Sequence, residues 1–288
     1  MNSIRGVLAS IFLGLNTIFW CIPLYIMGLA RWLVPIPAAR RSISGAMDVV
    51  IHGWVGCNRV MNAVLNLHNN ELSIKVEQPL ATHKKYIVIC NHRSWADILV
   101  LQNTLRGVIG PLKFFTKSQL IWLPGLGVAM WFLGFPYVRR KGADGATLAK
   151  SCEGFKQHPV GVLNFLEGTR FTKEKHQRFE SQHDHLLPPK TGGLAHVLGQ
   201  LGNQIDQILD VTIAYPDGTP SFWEFLKGET GRIFVDINGY PVPVAGQDRS
   251  LTEHELIDLK RWTEALWETK DKKLAKLLGA TATEPAKE

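Results

Sequence analysis

Cysteine is scarce in this chain, and acidic residues are missing from its beginning. Cys21, Cys57, Cys90 and Cys152 stand far apart in 288 residues, and no two form a C-x-x-C pair. That excludes a disulfide framework and a cysteine-rich zinc site, and it fits a reducing compartment. No Asp or Glu precedes Asp48, so Arg5, Arg31, Arg40 and Arg41 stand unopposed. The sequence has no G-x-S-x-G elbow and no P-loop, which argues against ordinary serine hydrolases and P-loop nucleotide enzymes. It has no internal repeat, which argues against a solenoid. Charged residues make up 20% and hydrophobic ones 45%, so the chain is not mainly disordered and can bury a sizeable core. The formal net charge of +7 favours acidic partners: phospholipid surfaces, phosphorylated substrates or nucleic acid.

What is present begins with an apolar run. From Gly6 to Ala30 there is no charge. As a helix that stretch reaches roughly 37 Å, enough for a tilted membrane crossing. Trp20, Tyr25 and Trp32 suit a membrane interface. Pro23 interrupts the run and no small-residue cleavage site follows, which disfavours a signal peptide. Residues 1–41 are therefore expected to be a membrane anchor, with a helix lying in the interface as the alternative. Three arginines beyond the run against one before it place the body of the chain on the cytoplasmic side. Residues 42–70 carry apolar positions at threes and fours (Met47, Val50, Ile51, Trp54, Val55, Met61, Val64). The spacing predicts an amphipathic helix packed on the domain, with a membrane-surface helix as the alternative.

From residue 71 to 278 strands and helices alternate. Short apolar, β-branched runs predict strands at Leu72–Val76, Tyr86–Cys90, Lys113–Thr116, Pro136–Arg139, Val160–Leu166, Leu209–Ala214 and Arg232–Ile237. Helices are predicted at Trp95–Leu105, Asp144–Gln157, Gly193–Leu201 and Leu251–Leu278, the last opening on a capping box at Ser250-Leu251-Thr252-Glu253. The pattern implies an α/β fold, a mixed sheet flanked by helices. Ser118–Val138 is uncharged but broken by Pro124, Gly125, Gly127, Gly134 and Pro136. A buried or bilayer-dipping helix plus a strand fits it better than a second crossing, because broken backbone is costly in lipid. Residues 279–288 read as a flexible tail.

Three blocks carry chemistry. Asn91-His92-Arg93-Ser94-Trp95-Ala96-Asp97 follows an apolar strand and opens a helix. His92 and Asp97 are five apart, so they meet only if His92 sits in the strand-to-helix turn and Asp97 in the first helical turn, with Ser94 as N-cap. A His held there can act as general base with the Asp on its other ring nitrogen. Ser94-x-x-Asp97 is equally a capping pattern that needs no catalysis. Phe165-Leu166-Glu167-Gly168-Thr169-Arg170 also ends a strand; Arg170 offers a planar fork for phosphate, or the block is a polar turn with a Glu–Arg pair. Gly134–Lys141 ends in Arg139-Arg140-Lys141, either a solvated or membrane-facing patch or an anion site. His176, His183 and His185 lie in polar surroundings without a cysteine and read as a solvated loop, so no metal is expected.

Taken together, the blocks resemble the glycerolipid acyltransferase superfamily, of the 1-acyl-sn-glycerol-3-phosphate acyltransferase type. Its N-H-x-x-x-x-D block is intact at Asn91–Asp97, its arginine-ending second block corresponds to Gly134–Arg140, and its F-P-E-G-T-R block to Phe165–Arg170, with Leu166 in place of Pro. The likeness runs from about Tyr86 to Tyr215, and the whole chain looks most like the bacterial inner-membrane branch. The usual K-x-E-L reads Lys117-Ser118-Gln119-Leu120, and the fourth block reads Asp210–Ala214, similar to lysocardiolipin and lysophosphatidylinositol acyltransferases.

The resemblance implies a glycerol-3-phosphate acyltransferase-like fold, and a fatty acyl transfer from acyl-CoA or acyl carrier protein to the sn-2 hydroxyl of 1-acyl-glycerol-3-phosphate; the alternatives are another lysophospholipid as acceptor, or a basic membrane-associated nucleic-acid- or lipid-binding protein without catalysis. It implies His92 as base and Asp97 as its support. Glu167, Gly168, Thr169 and Arg170, with Arg140, would hold the glycerol phosphate, and Asn91 and Ser94 are further candidate substrate contacts. No cofactor is implied beyond the acyl carrier. Leu120–Phe135 would line an acyl groove, with Trp122, Met130 and Trp131 as candidate length gauges. The partners implied are a phospholipid membrane and a lysophospholipid. No nucleic acid is expected, since the chain has neither an RNP-like strand nor a recognition-helix pattern.

Overall fold

The computed structural model describes residues 2–67, 69–76, 79–114, 116–122, 125–135, 137–138, 152–153, 155–156, 158–244, 246 and 249–279. Its centre is β2 (Tyr86–Cys90), a fully buried apolar strand with neighbours on both edges. Tyr86, Val88 and Cys90 face one core, and Ile87 and Ile89 face another. Two covered faces are why the strand reads as a continuous apolar run without alternation.

Around it lie β1 (Asn69–Lys75), β3 (Leu112–Phe114), β6 (Gly161–Phe165), β7 (Gln207–Ala214) and β8 (Arg232–Tyr240), in the order β1-β8-β7-β2-β6-β3. β7, β2, β6 and β3 run parallel; β8 is antiparallel to β7 and parallel to β1. The sheet is therefore mixed, as the sequence predicts. β4 (Thr116–Lys117) and β5 (Tyr137–Val138) form a separate two-residue pair. Four parallel strands side by side bring their carboxyl ends to one edge, where open α/β sheets bind ligands.

One face of the sheet is covered by α3 (Asp97–Leu105) and α7 (Phe222–Lys227), the other by α6 (Gly192–Leu201) and α8 (Glu253–Gly279). The short α5 (Lys173–Arg178) lies between β6 and α6. α5 occupies the start of the stretch read from sequence as a solvated loop. α7 carries a complete capping box, Ser221 with Glu224. The capping box expected at Ser250–Glu253 lies two residues later. Thr252 Oγ1 accepts the Glu255 N–H at 3.3 Å, and Glu255 Oε2 accepts the Thr252 N–H at 2.7 Å. Both registers offer a hydroxyl followed by Glu, and the structure uses Thr252. Most of the expected helix Asp144–Gln157 falls outside the described residues, as do Pro136 and Arg139 of the expected fourth strand.

α1 (Asn2–Leu33) and α2 (Pro37–Leu65) pair along their lengths. Pro37 opens α2, where its missing N–H costs nothing, and Asn66 closes it in the left-handed region at φ 48°. The predicted stripe on α2 is mostly buried, at Met47, Val50, Ile51, Val55 and Met61, whereas Val64 is exposed. A polar link crosses the pair: Asn16 Nδ2 donates to Asn58 Oδ1 at 2.7 Å and to the Trp54 carbonyl at 3.1 Å. α1 is also tied to the α/β body near both its ends. Asn2 Nδ2 donates to Glu229 Oε1 at 3.1 Å, and Arg31 Nη1 to the Phe132 carbonyl at 3.2 Å. α1 is long and apolar enough to cross a membrane.

The described residues of the uncharged segment Ser118–Val138 form a turn of 3-10 helix at Ser118–Trp122, then α4 (Leu126–Phe132), then β5. α4 docks on α1, where Gly28 accepts the Phe132 ring; a Cβ there would lie 2.3 Å from Phe132 Cγ. The Gly28→Leu substitution should therefore cost about 1–3 kcal/mol, in line with other overpacked cores. Denaturant unfolding in detergent measures it, and an unchanged midpoint would show that α4 does not dock there.

Candidate active site

Three strand ends build the site. His92 lies two residues beyond β2, Glu167 two beyond β6, and Tyr215 one beyond β7. These are three adjacent parallel strands, so residues more than 120 positions apart meet at one edge.

The expected His–Asp geometry is present. His92 Nδ1 lies 2.8 Å from Asp97 Oδ2. The same oxygen accepts the backbone N–H groups of Arg93 at 2.7 Å and Ser94 at 2.9 Å, while Oδ1 accepts the Tyr215 hydroxyl at 2.6 Å. Asp97 is wholly buried, and these donors replace the water it has lost. A carboxylate on Nδ1 assigns the proton to that nitrogen and leaves Nε2, across the ring, free to accept one. The imidazole stacks on Phe165, with ring centroids 4.1 Å apart and planes 19° off parallel, which limits its swing.

Ser94 is not the N-cap. The residue flanking α3 is Ala96, and no side chain caps the helix. Ser94 Oγ instead donates to the Pro220 carbonyl at 2.7 Å and accepts the Ala96 N–H at 3.1 Å. Only the Asp97 half of the capping pattern forms, because the Ser94 hydroxyl is drawn to the segment before α7. Asn91 is likewise spent on backbone, donating to the Ile213 carbonyl and accepting its N–H, both at 2.9 Å. Both residues, expected from sequence as substrate contacts, are buried and engaged with backbone. They tie the β2 turn to β7 and to the α7 approach.

The second block divides between scaffold and surface. Glu167 is buried and accepts the His92 N–H at 2.7 Å and the Leu187 N–H at 3.0 Å. Burial pushes its carboxyl up to about 7, against the pull of those two N–H groups and of Arg93. Gly168 sits at φ +65°, a left-handed turn that a side chain adopts only under strain. Thr169 Oγ1 accepts from Lys175 Nζ at 2.8 Å, and the Arg170 guanidinium lies 4.7 Å over the Trp95 ring. No Glu167–Arg170 pair forms: Glu167 is turned inward on backbone and Arg170 outward on an aromatic face. The exposed Lys190 lies beside Gly168; a Cβ on that glycine would be 3.3 Å from Lys190 Nζ. Arg170, Lys175 and Lys190 thus form a cationic rim on the Gly168–Arg170 turn, which follows the Glu167 that holds the His92 N–H, a charge suited to a phosphate. Arg140, the other cation expected from sequence to hold the phosphate, lies outside the described residues.

An apolar cleft of about 790 Å³, partly open to solvent, reaches Ile98 and Leu99, the residues immediately after Asp97. α1 and α2 wall one side and α4 the other, where Leu126, Ala129, Met130 and Leu133 line it. Of the expected gauges only Met130 is inside. Trp122 and Trp131 are exposed by 85% and 52% and do not line the cleft. Among the described residues no cluster of His, Cys, Asp and Glu could hold a metal ion; His176 Nε2 instead contacts the His183 carbonyl at 2.5 Å.

Sequence reasoning missed Tyr215, Lys175, Lys190 and Arg93. Arg93 stands at a variable position of the Asn91–Asp97 block and Tyr215 at a strand end, but nothing local marks Lys175 or Lys190. Arg93 is held inside the site, with Nη2 donating to the His185 carbonyl at 2.8 Å and the guanidinium 4.9 Å over Phe171.

A family model described as Acyltransferase matches residues 71–216. Lysocardiolipin acyltransferase 1 from Gallus gallus is 27% identical over 208 residues, covering 66% of this chain and 53% of the relative. Probable 1-acyl-sn-glycerol-3-phosphate acyltransferase 5 from Arabidopsis thaliana is 31% identical over 167 residues, covering 53% and 44%. The chain spans about half the length of these curated relatives. The crystal structure of the 1-acyl-sn-glycerophosphate (LPA) acyltransferase PlsC from Thermotoga maritima matches with a TM-score of 0.55 at 16% identity, over 98% of this chain and all of that one, a likeness of fold.

Glu167 generates a prediction of its own. Its folded value of about 7 against an ordinary 4.5 means that the native state holds the extra proton between those values. The stabilisation from Glu167 is therefore complete below about 4.5 and is lost as pH rises through about 7. The melting temperature of the wild type relative to Glu167→Gln should fall across that window and level off above it. A difference independent of pH would show that Glu167 titrates normally.

Proposed function

The chain belongs to the acyltransferase family, and within it we propose a lysophospholipid acyltransferase that moves a fatty acyl group from an acyl thioester to the sn-2 hydroxyl of 1-acyl-glycerol-3-phosphate, making phosphatidic acid. The observation that carries this is the buried Asp97 on His92 Nδ1, beside a cationic rim and at the mouth of an apolar cleft.

His92 Nε2 takes the proton of the sn-2 hydroxyl as that oxygen attacks the thioester carbonyl. Asp97 holds the tautomer and supports the imidazolium that forms. The tetrahedral oxyanion collapses, the C–S bond breaks, and the thiol of coenzyme A or of acyl carrier protein departs with the proton from His92. Hydroxyl, base and thioester close the proton and electron balance, so the step needs neither a metal nor an acyl-enzyme. Arg170, Lys190 and Lys175 meet the acceptor's phosphate, and Arg140 joins them on the family pattern. Glu167 and Gly168 shape the turn that presents them, and the acyl chain lies in the cleft against Met130.

A second acceptor has support of its own. Asp210–Ala214 resembles the lysocardiolipin branch, and the 27% identity to a lysocardiolipin acyltransferase points the same way. Lysocardiolipin also carries the phosphate that the rim suits.

We further propose that α1 and α2 hold the enzyme to a bacterial inner membrane with the catalytic edge on the cytoplasmic side. The outer face of α1 exposes Ile4, Ile11, Leu15, Ile18, Ile22 and Ile26 along its whole length. Because the helix is tied to the body near both ends, lying lengthwise in the lipid interface suits it better than crossing.

Acyl transfer from palmitoyl-coenzyme A to a panel of lysophospholipids, by detergent-solubilised protein, tests the reading. His92→Ala should lower kcat by at least about a hundredfold, the lower end for losing a general base. Transfer that survives it would overturn the mechanism, and thiol release without an acceptor would indicate a hydrolase. Met130→Trp should shift the preferred donor to shorter chains; an unchanged chain-length profile would show that the cleft does not hold the chain.

A further inference from the structure

α8 lies beyond the matched family region, far from His92 in sequence, yet it reaches the His92 loop by two hydrogen-bonded routes. Trp267 and Asp271 are four apart, so they share one face of the helix. Trp267 is fully buried, and its Nε1–H donates to the Leu187 carbonyl at 2.9 Å. The N–H of the same Leu187 donates to Glu167, whose other oxygen accepts the His92 N–H. Asp271 accepts the N–H groups of Asp184 and His185 through its two oxygens, each at 2.9 Å. The His185 carbonyl in turn accepts from Arg93, next to His92. Arg93 lies over Phe171, whose N–H donates to the His92 carbonyl at 2.7 Å. Both routes therefore pass through residues 184–187, which have no helix or strand of their own, and end on the backbone around His92.

Between the two, Lys270 fixes the helix itself. Its Nζ lies 2.7 Å from Asp210 Oδ1 and 2.6 Å from the Val211 carbonyl, with both side chains buried. α8 is thus bolted to β7, a neighbour of the strand that carries His92, and cannot slide without breaking a buried ion pair.

We propose that α8 is a brace for the His92 loop, with Trp267 and Asp271 as its positioning residues. Neither touches a substrate. They hold residues 184–187, which hold Glu167 and Arg93, which set the backbone of His92. The proposal rests on the acyltransferase reading for its kinetic consequence, and on the geometry alone for its structural one. Small displacements of a base are enough to matter, since a misplacement of about 1 Å can cost a hundredfold in rate.

The test compares Asp271→Ala, Asp271→Asn and Trp267→Phe with Glu268→Ala, a substitution on the exposed side of α8, all in the full chain. Acyl transfer is measured with palmitoyl-coenzyme A and 1-acyl-glycerol-3-phosphate. The low-field proton resonance of the His92 Nδ1–H···Asp97 bond is recorded on the same samples. The brace variants should lose about tenfold to a hundredfold in kcat with both KM values held, and the resonance should broaden or shift. Glu268→Ala should change neither. A lowered melting temperature with kcat per folded molecule and the resonance unchanged would overturn the proposal, leaving α8 a merely structural helix. If Asp271→Ala does not fold, the near-isosteric Asp271→Asn decides. If the wild type transfers nothing to any acceptor, it is the functional reading that fails, and the resonance alone then decides the brace.

Discussion

A buried carboxylate orders this molecule. Asp97 has no contact with water, so its charge must be met by donors, and four are supplied: the His92 ring, two backbone N–H groups and the Tyr215 hydroxyl. An unpaired charge at that depth would cost several kcal/mol, about what a broken buried pair costs elsewhere. The requirement fixes the turn after β2, the start of α3 and the end of β7 relative to one another. It also explains why burial and Asp97 together push the Tyr215 hydroxyl well above its ordinary range: ionising it would set two anions against each other.

The same logic recurs one layer deeper. Asp210 lies in the middle of β7, where burial raises its carboxyl and Lys270 pulls it back. The pair is close to dry, and its value is as a lock on register between helix and sheet more than as a source of stability. Glu167 is the third buried carboxyl. It has a backbone donor on each oxygen, His92 N–H and Leu187 N–H. The polar interior is continuous from α8 to His92, while the two apolar cores on either side of the sheet exclude water from it.

The helical half of the molecule answers a different constraint. α1 carries more apolar surface than the body can cover, and its outward face stays bare along its length. Its inward face is shaped by small residues and by the Asn16–Asn58 link, so α2 and α4 can approach and leave a cleft that runs to the first turn of α3. The inner end of that cleft lies against Ile98 and Leu99, the two residues that follow Asp97.

Much of this was legible in the residues. β2 was readable end to end because a strand covered on both faces must be apolar throughout, and α6 and the long α8 were readable from spacing and terminal chemistry. The His92–Asp97 pair was readable because a strand-to-helix turn leaves one geometry in which residues five apart can meet. The capping register at Thr252, the short helices α5 and α7, and the inward turn of Glu167 were not, since each depends on which of two nearly equal hydrogen bonds the surroundings favour. Composition and local order were enough for the fold class, the apolar N-terminal helix and the chemical character of the site, because those follow from periodicity and from which side chains can carry a proton or a charge. Only the folded chain could bring Tyr215, Lys190 and the Trp267–Asp271 face of α8 to the site, because their roles come from strand order and helix docking, which place in contact residues that no local pattern connects.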